Sequence, residues 1–282
     1  MKVSSVLPHE TILLVLDREY GFFERVEQFR YQQEVWNEFP INCPGLADAV
    51  ERAKALYPQK AFISKKGCTD NYTHLALTYD PEFAAEDLHD IGTRTLHNEE
   101  MRYADVFNRI VTPKRGYYSD TYGFRALTPA MKLIAPHLPK FKRSLVRSRL
   151  SVLDGMRPET NGFSFGWHTD EIVFSNLRIN IPITCPEGYV IQVEANGLPP
   201  IEGSPTIKSY PMREGYAYSW NTNLPHRPCA LREVPQLRTN LVIGVSPWFD
   251  YDPIEDSWTP NEFFGRKHPF QMLHDGDIID WS

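Results

Sequence analysis

The stretch Leu177-Arg178-Ile179-Asn180-Ile181 alternates aliphatic and polar side chains with a period of two. Because successive side chains of a β-strand point to opposite faces, this pattern predicts a strand with one aliphatic face. The other face carries Arg178 and Asn180. The stretch therefore predicts a sheet that buries aliphatic residues on one side and presents polar residues on the other.

The same alternation recurs on both sides of this stretch. Further strands are predicted over 147–153, 188–194, 215–220 and 238–245. Turns rich in Gly and Pro separate these short strands, a pattern typical of a β-sandwich or a β-barrel. The Pro-rich segment from Leu198 to Pro205 is predicted to be a hairpin loop. The fold class is therefore mainly β with flanking helices.

The first 140 residues are predicted to form a mixed α/β support region. No linker separates this region from the strands, so it is not expected to form a domain of its own. Apolar residues at helical spacing predict a helix from 45 to 57, and a second helix is predicted over 128–136. The apolar run from Ile12 to Leu16 predicts a core strand. These elements are expected to brace the sheet.

The chain from 1 to 282 is expected to be a single domain, with its core strands between 143 and 250. The C-terminal tail, 251–282, contains several aromatic residues and is predicted to pack onto the body. No apolar run approaches the length of a membrane span. No pattern in the sequence indicates an oligomeric state.

Charge and cysteine usage exclude several classes of protein. The net charge of −6 argues against nucleic-acid binding, which needs a basic surface. The four cysteines contain no CxxC pair, so a cysteine-type zinc site is not expected. Their scatter fits a reduced, cytoplasmic protein better than a disulfide scaffold. The cysteines are Cys43, Cys68, Cys185 and Cys229.

The motif His168-Thr169-Asp170 is the first candidate for chemistry. On an extended strand the His and Asp side chains share a face, so both can reach one ion. A distant His226, expected in a loop that follows an aromatic strand and directly after Pro225, would complete two imidazoles and one carboxylate. That ligand set favours non-haem Fe(II) with open coordination positions. Taken singly, each histidine could instead be a structural or surface residue.

Arg178 and Arg238 lie on predicted strands, on the face opposite the aliphatic residues. A half-buried arginine needs an anionic partner, and its guanidinium suits a carboxylate. The partner of each could be an Asp or Glu of the chain. When Arg178 and Arg238 are considered together beside a possible metal site, we favour a ligand with two carboxylates, one bound by each arginine.

Residues 147–250 resemble an Fe(II)/2-oxoglutarate-dependent oxygenase, and more narrowly the aspartyl/asparaginyl β-hydroxylase-like branch, which includes bacterial free-proline hydroxylases. The match is carried by the segments 149–153, 168–170, 177–181 and 215–243. The resemblance implies a double-stranded β-helix, a cupin-like jelly roll with the metal in its open mouth. It also implies 2-oxoglutarate as co-substrate and O2 as oxidant.

Carried over by resemblance, the iron ligands are His168, Asp170 and His226. Arg238 would bind the C5 carboxylate of 2-oxoglutarate, with Ser151 assisting at the same carboxylate. Arg178 would lie near the C1 carboxylate. Asn180 occupies the polar position two residues later.

The resemblance implies hydroxylation of an unactivated C–H bond of a small molecule, most naturally a free amino acid or a metabolite derived from one. Two alternatives remain open: a peptide or protein side chain as substrate, and a non-catalytic cupin-like protein that binds a metal or ligand. Residues near the ligands in sequence are candidates for substrate contact. They are Trp167, Glu171, Arg157 and Trp220.

Overall fold

The computed structural model describes residues 12–29, 36–64, 67–81, 121–156 and 165–281. Within these ranges helices flank a set of antiparallel strands. The α-helices are α1 (Ile12–Tyr20), α2 (Phe22–Glu27), α3 (Leu46–Leu56), α4 (Pro129–Ile134) and α5 (Pro269–His274). Two 3-10 turns cover Thr121–Gly123 and Ala135–His137. The strands before the core are β1 (Trp36–Pro40), β2 (Lys60–Ser64), β3 (Gly67–Ala76), β4 (Thr78–Tyr79) and β5 (Ala126–Leu127). The core and C-terminal strands are β6 (Leu145–Leu153), β7 (Leu177–Thr184), β8 (Tyr189–Glu194), β9 (Ile207–Pro211), β10 (Tyr216–Trp220), β11 (His226–Ala230), β12 (Arg238–Val245), β13 (Phe249–Asp252) and β14 (Ser257–Pro260).

Two antiparallel sheets form the core. The large sheet has the strand order β1-β10-β7-β12-β6-β3-β2, and the small sheet has the order β11-β8-β9. The segment 165–170 adds a further edge to the small sheet, because His168 and His226 exchange backbone hydrogen bonds at 2.9 and 3.1 Å. From β6 the chain crosses to the small sheet at 165–170, returns to the large sheet at β7, and crosses again to β8. The strands β8 and β9 stay in the small sheet, after which β10, β11 and β12 alternate, which gives the double-stranded β-helix topology of a jelly roll.

The two faces of the large sheet have different chemistry. Leu177, Ile179 and Ile181 of β7 are buried against the helices, together with aliphatic residues of β12. The opposite face carries Arg178 and Asn180 and looks toward the small sheet across a cavity. Helices, large sheet and small sheet therefore form three layers, with the main apolar core between the first two.

The sequence predicted the fold class and most elements correctly. The five predicted core strands appear as β6, β7, β8, β10 and β12, and the predicted loop from Leu198 to Pro205 connects β8 to β9. The helices predicted over 45–57 and 128–136 correspond to α3 and to α4 with its following 3-10 turn. Thr128 starts α4, since its hydroxyl accepts the backbone N–H of Met131 and Pro129 takes the first helical position.

Two local predictions were wrong. The run from Ile12 to Leu16 lies in helix α1, where Leu13 and Leu16 are buried three residues apart. A run of five apolar residues has no period of its own, and here helical packing against the core decided its conformation. His226 was expected in a loop, but it is the first residue of β11 and pairs with Val193.

Strands from the N-terminal region extend the large sheet at both edges. β1 pairs with β10, and β3 pairs with β6 and then with β2. No helix within the described ranges is long and apolar enough to span a membrane. Within the described ranges, Cys43, Cys185 and Cys229 form no disulfide.

Candidate metal centre and its cavity

His168, Asp170 and His226 converge at one end of the cavity between the sheets. Each residue offers one ligand atom, and these atoms all lie within 4.8 Å of one another. His168 and His226 are held opposite each other by their backbone bridge, and the N–H of Asp170 donates to the carbonyl of Thr222 at 2.8 Å. Adjacent strands of one sheet thus bring together residues that are 56 positions apart in the sequence.

Backbone carbonyls fix the orientation of both imidazoles. Nδ1 of His168 lies 2.8 Å from the oxygen of Gly166, and Nδ1 of His226 lies 2.9 Å from the oxygen of Leu224. A carbonyl only accepts hydrogen bonds, so Nδ1 of each ring carries the proton and Nε2 presents its lone pair. This is the tautomer that a metal ion requires of both ligands.

The donor atoms are spaced as a metal site requires. Oδ2 of Asp170 lies 3.3 Å from Nε2 of His226 and 3.8 Å from Nε2 of His168. Two ligand atoms about 2.1 Å from one ion and at right angles to each other are roughly 3 Å apart. The three residues therefore fit one divalent ion on one face, and two imidazoles with one carboxylate are the ligand type of non-haem Fe(II).

The charge states of the group also suit a metal. Burial, together with the neighbouring His226, lowers the pKa of His168 to about 4, so its imidazole is neutral at pH 7. Burial alone would raise the pKa of Asp170, but Arg178 and the imidazoles outweigh it and hold the pKa well below its usual range. Asp170 is therefore a carboxylate, and the site combines the neutral imidazole of His168 with one anionic oxygen donor.

A buried ion-pair network supports Asp170 from behind. Arg178 donates from Nη1 to Oδ2 of Asp170 at 2.5 Å and from Nη2 to Oε2 of Glu171. Arg147 pairs with the other oxygen of Glu171 at 2.8 Å. The network matches two guanidinium groups with two carboxylates. From the sequence we predicted that Arg178 binds a carboxylate of the co-substrate. In the structure Asp170 and Glu171 already balance its charge. This is the alternative of a partner within the chain that the sequence left open.

Arg238 has a different environment. Its side chain is buried and lines the cavity, and no Asp or Glu of the described residues pairs with it. Its Nη2 lies 3.5 Å from the sulfur of Met212, a weak acceptor. A buried guanidinium without a carboxylate is costly, so Arg238 is prepared for an anionic ligand.

The cavity between the sheets is narrow, with a volume of about 40 Å³. Ser151, Asn180 and Trp220, all predicted from the sequence, line it together with the metal-centre residues. Asn180 accepts from Asn240 at 3.0 Å, while its own amide N–H₂ and the indole N–H of Trp220 have no hydrogen-bond partner. These unsatisfied donors face a space that a polar ligand would fill.

Of the four residues predicted to contact substrate, the structure places one in the cavity lining and two outside it. Trp220 lines the cavity and meets His226 edge to face at 5.7 Å. Glu171 is 1% exposed and committed to Arg147 and Arg178, so it cannot reach a cavity ligand. Trp167 lies outside the cavity lining and donates to Glu202 at 3.1 Å. Arg157 lies outside the described residues.

Sequence reasoning missed several cavity residues, of which three are polar residues on the strands of the large sheet. They are Arg149, Tyr72 and Asn240. Arg149 and Asn240 each lie two positions from a predicted site residue, Ser151 and Arg238 respectively. The period of two was therefore a sufficient signal for both. Tyr72 comes from β3, and its place beside β6 depends on a pairing that the sequence does not reveal.

No family model matches this chain, and no curated protein does either. Several solved structures resemble it. An oxidoreductase of the 2OG-Fe(II) oxygenase family from Burkholderia pseudomallei is 12% identical, with 80% of this chain and 91% of that chain covered and a TM-score of 0.39. The non-haem α-ketoglutarate-dependent epimerase SnoN from nogalamycin biosynthesis is 11% identical, with 85% and 88% covered and a TM-score of 0.39. HygX from Streptomyces hygroscopicus, with nickel, 2-oxoglutarate and hygromycin B bound, is 9% identical, with 81% and 89% covered and a TM-score of 0.40. Similarity this distant does not establish an activity, so the chemistry of this chain rests on its own residues.

Proposed function

We propose that this protein is an Fe(II)- and 2-oxoglutarate-dependent oxygenase that hydroxylates an unactivated C–H bond of a small molecule, such as a free amino acid or a metabolite derived from one. One observation carries the proposal. Two imidazoles and a carboxylate converge in a cavity that also contains Arg238, a buried guanidinium that pairs with no carboxylate of the described residues. The first group suits iron and the second suits a dicarboxylate co-substrate.

His168, Asp170 and His226 would hold the iron, and Arg238 would hold the distal carboxylate of 2-oxoglutarate. The bound iron and co-substrate would supply the activation of O2, which no side chain can perform. The ligands occupy one side of the ion only, which leaves positions for co-substrate and oxygen. Ser151, which pairs with Asn240 two residues along β12 from Arg238 and lines the same cavity, would assist at the same carboxylate.

The chain itself contributes orientation and exclusion of water. The carbonyls of Gly166 and Leu224 hold the imidazoles, and Arg178 holds Asp170. The indole of Trp220 is 4% exposed and shields His226 from solvent. A buried and pre-oriented site aims the oxidant at one carbon and limits side reactions with water. No described feature favours the peptide substrate or the non-catalytic alternative.

The test is iron and 2-oxoglutarate dependence, measured in two ways. Anaerobic addition of Fe(II) and 2-oxoglutarate to the protein should produce a charge-transfer absorption band. Admission of air should then yield succinate, with a metabolite library used to find compounds that stimulate the rate. A protein that binds Fe(II) but forms neither the band nor succinate would contradict the proposal and favour the non-catalytic alternative.

A further inference from the structure

Arg149 is a charged residue of the cavity that has no role in the proposed iron and co-substrate sites. It lies on β6, paired with Val242 of β12 on one side and Ala76 of β3 on the other. Its side chain lines the cavity on the same face as Ser151. The Nε–H of Arg149 is enclosed and has no hydrogen-bond partner, and none of the carboxylates in the described residues pairs with its guanidinium.

The charges around the cavity leave Arg149 unbalanced. Arg147 and Arg178 share the carboxylates of Asp170 and Glu171. Arg238 would take the distal carboxylate of the co-substrate, whose other carboxylate would go to the metal. Arg149 is only partly exposed, and its enclosed Nε–H has no acceptor, so its guanidinium is available to bind a further negative group that neither the described residues nor the co-substrate supplies.

The pairing register of β12 with β6 shows that Arg149 and Arg238 lie at different positions along the cavity. Arg238 pairs with Leu153, whereas Val242 pairs with Arg149, four residues farther along β12. At 3.3 Å per residue the two arginines start about 13 Å apart. Beyond Val242, Gly244 pairs with Arg178, which contacts Asp170, so Arg149 emerges on the metal side of Arg238. One carboxylate at Arg238 therefore does not satisfy Arg149.

Two aromatic rings line the same cavity as Arg149. Phe165 meets His168 edge to face at 5.1 Å, and Tyr72 packs on Phe165 at 4.5 Å. Tyr72 pairs with Leu153, so the rings extend from the metal ligands toward the Arg238 end of the cavity. A cation and an aromatic wall in one cavity beside the metal ligands suit a small molecule that carries an acidic group on a carbon skeleton.

We propose that Arg149 is the specificity-determining residue of the primary-substrate subsite and that the substrate is a small organic acid. Its carboxylate pairs with the guanidinium of Arg149, and its carbon skeleton packs against Tyr72 and Phe165. The inference rests on the proposed function, since it assigns Arg238 and the metal to the co-substrate. It narrows the substrate class to acids, whether or not they are amino acids.

Matched acids and amides test the assignment. The wild-type protein, loaded anaerobically with Fe(II) and 2-oxoglutarate, is titrated with free amino acids, other small carboxylic acids and the neutral amide of each. Binding is measured as a change in the charge-transfer band and as a rise in the thermal unfolding midpoint. Some acids should bind, and their amides should bind about 10- to 100-fold more weakly, because the charge-assisted contact is lost.

Variants locate the effect. Arg149→Met should weaken binding of those acids about 10- to 100-fold and abolish their preference over amides, and Arg149→Lys should recover part of it. The 2-oxoglutarate concentration needed to form the band should change much less. Arg232→Met is the control for loss of one positive charge, because Arg232 is 65% exposed and pairs only weakly with Glu187 at 3.9 Å.

Three results would overturn the assignment: amides that bind as well as acids, no acid that binds the wild type, or an Arg149→Met variant that loses 2-oxoglutarate binding but keeps acid binding. Failure of the proposed function itself is seen separately, since the wild type would then form no charge-transfer band even without substrate.

Discussion

The ion-pair network behind Asp170 gives the sharpest test of how this site is built. Glu171 is 1% exposed, and its two carboxylate oxygens pair with Arg178 and Arg147 and also accept the hydroxyl of Thr121 at 3.3 Å. Glu171→Ala would remove the carboxylate that Arg147 and Arg178 share, and among the described residues only Asp170 would remain as a carboxylate partner, for Arg178. Breaking a buried ion pair in this way costs about 3–5 kcal/mol of unfolding free energy.

Glu171→Gln separates charge from shape. The amide keeps the volume and one hydrogen-bond acceptor but removes the negative charge. We expect a loss of about 1.5–3 kcal/mol, the usual contribution of a hydrogen bond to a charged group. Both variants should remain folded, because domains are typically stable by about 5–15 kcal/mol. Their charge-transfer bands should form at higher Fe(II) concentrations, because Arg178 no longer has a second carboxylate to fix its position on Asp170.

The assay is urea unfolding followed by tryptophan fluorescence. With a slope of about 3 kcal/mol per molar urea, the alanine variant should reach its unfolding midpoint at a urea concentration about 1–1.7 M lower than the wild type. Glu187→Ala is the matched control, because Glu187 is 96% exposed, and it should change stability by less than about 0.5 kcal/mol.

Unfolding measurements at acid pH provide an independent check on the sign of the contribution that Glu171 makes to stability. Burial would raise the pKa of Glu171, but Arg147 and Arg178 outweigh it and lower the pKa from 4.5. The carboxylate therefore stabilises the fold above pH 4.5, and its contribution is lost as the pH falls through the lowered pKa. The difference between wild type and Glu171→Gln should shrink in acid. A loss below 1 kcal/mol at pH 7, combined with a raised KM for substrate, would refute the structural role and restore Glu171 as a substrate contact.

Three further predictions concern the metal, the co-substrate and pH. His226→Ala should abolish both Fe(II) binding, measured by anaerobic calorimetry, and succinate formation, and retained turnover would exclude His226 as a ligand. Arg238→Met should raise the KM for 2-oxoglutarate about 10- to 100-fold, because a charge-assisted contact in a buried site is lost, and an unchanged KM would exclude that role. Burial lowers the pKa of His268 to about 4, and its Nδ1 caps α5 by accepting the N–H of Phe270 at 3.1 Å. Because the unfolded chain takes up this proton near pH 6.5, the unfolding free energy should fall by about 2–3 kcal/mol between pH 6.5 and 4. His268→Asn keeps a capping acceptor without titrating, so its urea midpoints should depend less on pH, and an equal dependence would contradict this account.

The distribution of site residues along the strands could be predicted because one local rule governs it. Arg178, Asn180 and Ser151 all lie on the cavity face, as a period of two requires. The helix at Ile12–Tyr20 and the strand that begins at His226 could not be predicted in the same way. Their conformations depend on packing partners that are distant in sequence. The single-domain assignment and the cytoplasmic location stay predictions, and no oligomeric state was predicted.

The sequence by itself determined the mainly β fold, the two faces of its core strands and the residue types that could form a metal centre. Only the tertiary structure decided which charges are already paired. Arg178 and Arg238 have the same local pattern, yet Arg178 meets Asp170 and Glu171, while Arg238 meets no carboxylate among the described residues. The difference arises because strand pairing and register, not local sequence, set which side chains face each other across a sheet. A guanidinium becomes a ligand-binding group only where the fold leaves its charge without a partner.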